Sequence, residues 1–541
     1  MRIHLALILI LAAALAASAQ TFPQPTYFQR FFVKPHPTQT LPGPEALSAY
    51  VQDGKLRLAL ADAVRLTILN NPDVRANQLQ IDLSRWAITK AYAPFDPTLN
   101  SYFNANRAVS PTSSQLQGAG TLSTLDQPYQ SIYNQLFETG TQYQVTFGIE
   151  RNVSNSLYST LNPYISAGLT AQITQPLIRN RGLFPNRAQI LIAQRNLKQS
   201  RSGFASQIND AILRAVNAYW DVVQARENLQ VLQESLDLAE ATYKRNKREL
   251  ELGALPPLDI YRSESQVAQR KLSVIQAEYS LKQFEDTLRQ QIGADLDPAI
   301  GALDLNLTEP TDIIGDFAIP AFPETMEKAL KARPELDVLQ QQLAIDDTNA
   351  QLAHNSMLPD LSVTSYYSTN GLGGNQIDTT GATPVVVSRG GLGDAFDQLS
   401  TLNFPSYGLG ITLRLPLRNR GAEADLGTAL ASKRRDLYQL RSRQQSIALE
   451  VKNAIHNFEQ AKLSVAAAKL ARDLSQKNLE AEQRKYELGT ETIFFVLDAQ
   501  NQLAQAEQSV VQAQIGYQRA VAGLDHTTAE LTQRYNVSVT P

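Results

Sequence analysis

The chain has 541 residues, with 49 Lys and Arg against 52 Asp and Glu and a formal net charge of −3, so it carries no basic footprint for nucleic acid. It contains no cysteine, which excludes disulfides, thiolate metal sites, a cysteine nucleophile and a lipid-modified N-terminal Cys. Five scattered histidines show no ligand spacing such as H-E-x-x-H, and neither a Gly-rich phosphate loop nor a nucleophile elbow occurs. The expectation is a protein that is no enzyme and uses no cofactor or metal.

The chain opens with Met1-Arg-Ile-His-Leu-Ala-Leu-Ile-Leu-Ile-Leu-Ala-Ala-Ala-Leu-Ala-Ala-Ser-Ala-Gln20. A basic start, an apolar run and Ala17-Ser-Ala19 predict a secretory signal over 1–19, cleaved before Gln20. The run falls short of the roughly 20 apolar residues that a membrane anchor needs. No later segment is apolar enough for a spanning helix. Residues 20–55 form a Pro-rich, extended lead.

From there the sequence is written twice. Asn70-Asn-Pro-Asp-Val74 aligns with Ala332-Arg-Pro-Glu-Leu336, and Ala93-Pro-Phe-Asp-Pro-Thr-Leu99 with Asn355-Ser-Met-Leu-Pro-Asp-Leu361, at one constant offset. Ile173-Thr-Gln-Pro-Leu-Ile-Arg-Asn-Arg-Gly182 is matched by Leu413-Arg-Leu-Pro-Leu-Arg-Asn-Arg-Gly421, and Glu251-Leu-Gly253 by Glu487-Leu-Gly489. The repeats run 56–293 and 319–535, joined by a linker over 294–318 and followed by a tail over 536–541. Units of this length are not solenoid repeats, whose period is roughly 20–50 residues.

Each repeat predicts the same series of elements. Segments 57–92 and 320–354 are helical and lead into strands. Strands follow at Leu99, Ser101, Phe103, Ala105 and at Leu361, Val363, Ser365, Tyr367, where side chains alternate weakly. Ile165, Ala167, Leu169, Ala171, Ile173 and Tyr407, Leu409, Ile411, Leu413, Leu415 alternate with polar or small residues and predict stronger ones. A soluble sandwich with its apolar face inward and a membrane barrel with it outward share this period, so periodicity alone does not choose.

A long helix comes next, from about 185 to 252 in the first repeat. Ala211, Ala215, Ala218, Val222, Ala225, Leu229, Leu232, Leu236, Ala239 and Tyr243 step by four and three, as do Ile447, Val451, Ala454, Phe458, Ala461, Val465 and Ala468 in the second. That spacing marks a coiled-coil seam. Gly253 and Gly489 end these helices, and the chain returns through 258–292 and 492–530. The leading and returning helices are each about half as long as the long one, so two stacked end to end match it.

Two strands per repeat make four per chain, too few to close a barrel alone, since outer-membrane barrels start at about 8. An open sheet in lipid leaves backbone unpaired. Two copies would close a barrel filled by side chains, and three would leave room for a pore. Tyr143, Val145, Phe147 and Ile149 also alternate. Because a segment that leaves and returns must cross an even number of times, 110–160 is placed mostly outside the cell. Residues 142–151 then form an extracellular β-extension, and Gly-rich 370–405 is its counterpart.

With these residues in place the chain resembles the TolC-like outer-membrane efflux channels over nearly its full mature length. The carrying segments are Leu60-Ala-Asp-Ala-Val64 with Asn70-Asn-Pro72, Phe322-Pro-Glu-Thr-Met326 with Arg333-Pro334, the two Pro-Leu…Arg-Asn-Arg-Gly phrases, and Tyr486-Glu-Leu-Gly-Thr-Glu-Thr-Ile-Phe-Phe-Val-Leu-Asp-Ala-Gln500. The resemblance implies mixed α and β structure: a homotrimer with a twelve-strand outer-membrane β-barrel, four strands per chain, continuous with a long periplasmic α-helical barrel. It further implies an exit duct that serves a periplasmic adaptor protein and an inner-membrane transporter. The alternative reading is a periplasmic coiled-coil adaptor or spacer without a pore.

Candidate sites follow from the same comparison. At the strand-to-helix junctions Pro176 and Pro416 end pairing, Arg179, Arg181, Arg418 and Arg420 reach lipid phosphates, and Gly182 and Gly421 allow the turn. The tips at Gly253, Ala254, Gly489 and Thr490 are short enough for an adaptor to approach. In the family an Arg commonly follows Gly-Thr, and two Asp a turn apart line the narrowest point of the pore. Here those positions are Glu491, Phe495 and Asp498, with Phe494 beside them, which implies a constriction of different chemistry.

Overall fold

The structure, a computed structural model, describes residues 41, 43–113, 118–252, 257–311, 318–380 and 384–537. The expected signal peptide lies outside the described residues, as do most of the Pro-rich lead and the tip residues Gly253 and Ala254. The chain divides into residues 1–44 and 45–541, and the second unit carries the architecture below.

Its helices are α1 (Leu60–Asn70), α2 (Pro72–Ala91), α3 (Leu183–Glu251) and α4 (Pro257–Ile292) in the first repeat. The second holds α5 (Phe322–Ala332), α6 (Pro334–Met357), α7 (Leu392–Ser400), α8 (Arg420–Glu487) and α9 (Ile493–Thr527). Strands β1 (Val51–Gln52) and β2 (Lys55–Leu58) precede α1. Between α2 and α3 run β3 (Thr98–Phe103), β4 (Asn106–Pro111), β5 (Thr121–Leu136), β6 (Gln142–Ser154) and β7 (Leu161–Pro176). Strand β8 (Asp304–Leu307) lies in the linker, while β9 (Asp360–Asp378), β10 (Val385–Ser388) and β11 (Pro405–Arg414) separate α6 from α8.

The helices follow the spacing of the sequence closely. At 69 and 68 residues, α3 and α8 each run on the order of 100 Å. Asn71 divides α1 from α2: its Oδ1 accepts from the Asp73 and Val74 N–H groups at 3.0 and 3.4 Å. Pro72 stands at the first helical position, where no donor is missed. Helix α3 packs against α2, α4, α6 and α9, and α8 against α5, α6 and α9. So α6 and α9 lie between the two long helices, with α2 and α4 at one edge of the layer and α8 at the other. On the seam Ala211, Ala215, Ala218, Val222, Ala225, Leu232 and Ala239 are buried, as are Ile447, Val451, Phe458 and Val465.

The largest core cluster joins α3 residues Ile212, Tyr219 and Trp220 to Leu288, Leu56, Leu58 and Leu305. Here β2 pairs antiparallel with β1 and parallel with β8, so the linker and the end of the lead return to one core. The Tyr219 hydroxyl donates to the Leu58 carbonyl at 3.2 Å and accepts from the Glu309 N–H at 3.1 Å.

The large sheet differs from expectation. Its order is β10-β9-β7-β6-β5-β3, with β11 also on β9 and β4 also on β5. Strand β6 does not form an extension: it pairs with β7 from Gln142↔Thr174 to Asn152↔Tyr164 and with β5 along its full length. Among the described residues the first repeat thus contributes β3, β5, β6 and β7 to the central run of the sheet, and the second β9 and β11, where two strands per repeat were expected. In the sequence β5 is hidden by Pro128 and by irregular alternation. Pro128 is tolerated because its carbonyl accepts from Asn104 N–H at 3.0 Å, which points its missing donor at the break between β3 and β4. Both groups of one residue face the same neighbour in an antiparallel strand.

Pairing partners share a face, and the two faces differ. One carries Leu99, Tyr133, Val145, Phe147, Ile149, Ala167, Leu169, Tyr367, Leu409, Ile411 and Leu413 in register across six strands. The other carries Asn134, Gln144, Thr146, Thr170, Gln172, Thr364, Ser368 and Thr412, with hydrogen bonds such as Gln144 Nε2 to Asn134 Oδ1 at 3.0 Å.

Residues 370–405 continue β9 and then fold α7 back onto the apolar face, where Ala395 and Leu399 cluster with Ile165 and Ala167. Phe396 stacks on Phe147 at 6.0 Å. The approach depends on Gly371 and Gly373, where an added methyl would overlap the carbonyl oxygens of Ala395 and Gly391. Gly371→Ala is expected to cost about 1–3 kcal/mol of local packing, detected as protease cleavage within 390–403 that the wild-type protein resists.

Candidate functional site

The two repeated phrases occupy the foot of the sheet, and their geometries differ. Pro176 ends β7, and the chain then hands over to the second repeat: Leu177 and Arg179 N–H groups donate to the carbonyls of Leu361 and Pro359 at 2.7 and 3.3 Å. Gly182 caps α3 at φ +82°, a conformation that favours glycine, and its N–H reaches the Thr139 carbonyl at 3.2 Å in the β5–β6 turn. Arg187 pairs with Glu138 at 3.1 Å from the same turn.

In the second repeat no such hairpin turn has to be met. Strand β11 has ended at Arg414 before Pro416, Asn419 caps α8, and both Arg420 and Gly421 already lie in the helix. Gly421 is therefore not a turn residue, contrary to expectation. Arg181, Arg418 and Arg420 are exposed at this level, whereas Arg179 is half-buried with no hydrogen-bond partner for its Nε.

At the far end of α8 the cap is a Schellman motif. Gly489 at φ +72° donates to the Tyr486 carbonyl, and the Thr490 N–H to that of Lys485, both at 3.0 Å. Thr490 is exposed, and its hydroxyl also reaches Lys485 O at 3.0 Å. The returning helix α9 buries Ile493, Val496 and Leu497 against Leu238 and Leu479, and Gln500 Nε2 donates to Thr242 Oγ1 at 3.0 Å. That packing turns Phe494, Phe495 and Asp498 outward together, with the two rings 51% and 45% exposed. The rings meet edge-on at 5.5 Å, and Asp498 Oδ2 accepts from Gln502 Nε2 at 2.7 Å. Glu491 is half-buried in the turn before them.

Beside this face lies a contact that the sequence did not point to. The Tyr486 hydroxyl donates to Glu249 Oε2 at 2.6 Å, Arg245 lies 4.8 Å over the Tyr486 ring, and Arg245 is 3.5 Å from Glu249. It joins the tip ends of α3 and α8. Nothing in local spacing pairs residues this far apart, although both stand within a turn or so of the matched Leu-Gly ends of their helices. Burial, and then the Glu249 carboxylate, push the Tyr486 phenol up to about 12. With its folded value raised, the neutral donor is fully present below about 10, and the contact is lost only as pH rises through 12. Tyr486→Phe is therefore expected to speed proteolysis near Leu252 and Leu488 equally at pH 6 and pH 8, because the lost bond is uncharged on the tyrosine side. It leaves the sheet resistant.

Comparison with known proteins places this geometry. The family "Outer membrane efflux protein" matches residues 63–294 and 325–530. The chain is 22% identical to outer membrane protein TolC of Vibrio cholerae over 63% of its own length and 73% of the relative's. It is 24% identical to outer membrane protein TolC of Escherichia coli over 57% of this chain and 58% of that one. The fold is similar to that of the Campylobacter jejuni CmeC outer membrane channel, with a TM-score of 0.62 at 14% identity, covering 87% of this chain and 85% of the other. The chain belongs to the outer membrane efflux protein family.

Proposed function

We propose that this protein is the outer-membrane exit duct of a tripartite efflux or type I secretion system. It would pass substrates from an inner-membrane transporter through a periplasmic adaptor to the outside. The observation that carries the reading is a two-faced sheet mounted directly on helices on the order of 100 Å long. Its relatives are outer membrane proteins, and a spacer would have no use for a sheet that is apolar on one face and polar on the other.

Assembly as a homotrimer completes the structure. Both edges of the layer lack partners within one copy. Strands β3 and β11 end the sheet at its helix end with every residue but one of the two exposed. Below them, α2 and α4 expose Leu79, Leu83, Trp86 and Leu272, Ile275, Tyr279 at seam spacing, and α8 exposes Leu463, Leu470 and Leu474. In lipid an unpaired strand edge is not tolerated, so each edge takes the opposite edge of another copy. Cross-linking of the purified protein in detergent should stop at three chains, and a stable folded monomer would sink the proposal.

Within that trimer Asp498 forms a carboxylate ring at the narrowest point, and Phe494 and Phe495 form an apolar collar that closes by dewetting. The tips at Gly253, Ala254, Gly489 and Thr490 receive the adaptor, while Arg179, Arg181, Arg418 and Arg420 meet outer-membrane lipid phosphates. Asp498→Asn is expected to weaken both cation preference and block by multivalent cations in single-channel recordings. Unchanged values would reduce Asp498 to an ordinary helix residue.

A further inference from the structure

We propose that the β5–β6 hairpin crosses the outer membrane, so that each copy contributes six spanning strands and three copies close a barrel of eighteen. The inference rests on the outer-membrane reading above and adds to it, because a four-strand contribution would close at twelve.

Three observations converge on it. First, the hairpin's turn is at the foot of the sheet. Thr139 and Glu138 touch Gly182 and Arg187 at the start of α3, and a methyl on Gly140 (φ +85°) would crowd the Asn180 carbonyl. A hairpin confined to the outside would have its turn far from that level.

Second, the hairpin is two-faced in register with its neighbours. Tyr129, Tyr133, Val145, Phe147 and Ile149 continue the apolar face of Leu99, Ala167, Leu169 and Ala171. Gln130, Asn134, Gln144 and Thr146 continue the polar one. The polar residues on the apolar face are partnered: Ser131 meets Ser101 at 2.7 Å, Gln135 accepts from the Tyr133 hydroxyl at 2.8 Å, and Gln127 accepts from Arg151 at 2.6 Å.

Third, the backbone is paired on both sides. Strand β6 bonds β5 and β7, and β5 bonds β3 and β4, with Pro128 set opposite their break. This is the condition that hydrocarbon imposes on any spanning strand.

The consequence is a wider outer barrel. Diameter grows roughly in proportion to strand number, and barrels of about 16–18 strands hold an aqueous channel. The sheet then passes whatever the helical part admits, which leaves selection to the Asp498 end.

The absence of native cysteine makes a direct test clean. Thr139→Cys reports the turn at the foot and Leu157→Cys the β6–β7 turn at the opposite end. Each is expressed in the full chain and probed with a bulky, membrane-impermeant polyethylene-glycol maleimide. In intact cells Leu157→Cys should be modified and Thr139→Cys should not, reacting only after the outer membrane is permeabilised. Equal modification of both in intact cells would place the hairpin outside and overturn the eighteen-strand barrel alone. Protection of Leu157→Cys as well would overturn the outer-membrane reading itself. In addition, Ser101→Cys with Ser131→Cys should form a disulfide within one chain of the assembled protein, and its absence would also overturn the proposal.

Discussion

The structure depends on one constraint: every backbone N–H and C=O of the large sheet needs a partner, and a single copy cannot supply all of them. Internally the pairing runs from β3 through β5, β6, β7 and β9 to β11, with one irregularity between Leu161 and Tyr164. Even the proline of β5 sits where its neighbour breaks. What remains is one edge along Thr98–Phe103 and Asn106–Pro111 and another along Val385–Ser388 and Pro405–Arg414. In an apolar medium each unsatisfied group costs several kcal/mol, a penalty that no side-chain contact elsewhere in one chain removes. The helices below continue the same two edges.

The helical part solves a different problem, that of holding a layer at constant length. Two shorter helices stacked against one long helix do so twice over, at Asn71-Pro72 and at Arg333-Pro334. The second junction is fixed by charge rather than by a capping amide. Arg333, with a side chain only 2% exposed, pairs with Glu450 and lies 3.9 Å from Glu335, and Arg443 reaches both carboxylates at 3.2–3.3 Å. A buried guanidinium is tolerable only with its partners in place, so this cluster locks the start of α6 to α8. The first repeat reaches the same end with the Asn71 cap and with Asn70 bonded to Glu45.

The two strand-to-helix junctions differ in what they meet. The β5–β6 hairpin turn meets the start of α3. That contact demands the φ of Gly182, whereas the second repeat enters its helix through Asn419 with no strained residue. The two phrases share Arg-Asn-Arg-Gly, but Gly182 caps α3 while Gly421 lies inside α8.

Much of this was legible in the sequence because it is periodic. The seam of α3, from Ala211 to Ala239, and the alternation of β7 and β11 follow from residue spacing, which local backbone geometry dictates. Three features required the tertiary structure. The β5 strand was hidden because Pro128 contradicts a strand unless its neighbour is broken opposite it, and that break is a property of the pairing. The Tyr486–Glu249 contact joins helices from different repeats, so no local pattern records it. The bed that Gly371 and Gly373 make for α7 is a fact about empty space, visible only when the helix lies in it. Sequence determined the elements and their faces, since those are set by neighbours along the chain. Tertiary structure decided how many strands stand side by side, since that is set by neighbours across it.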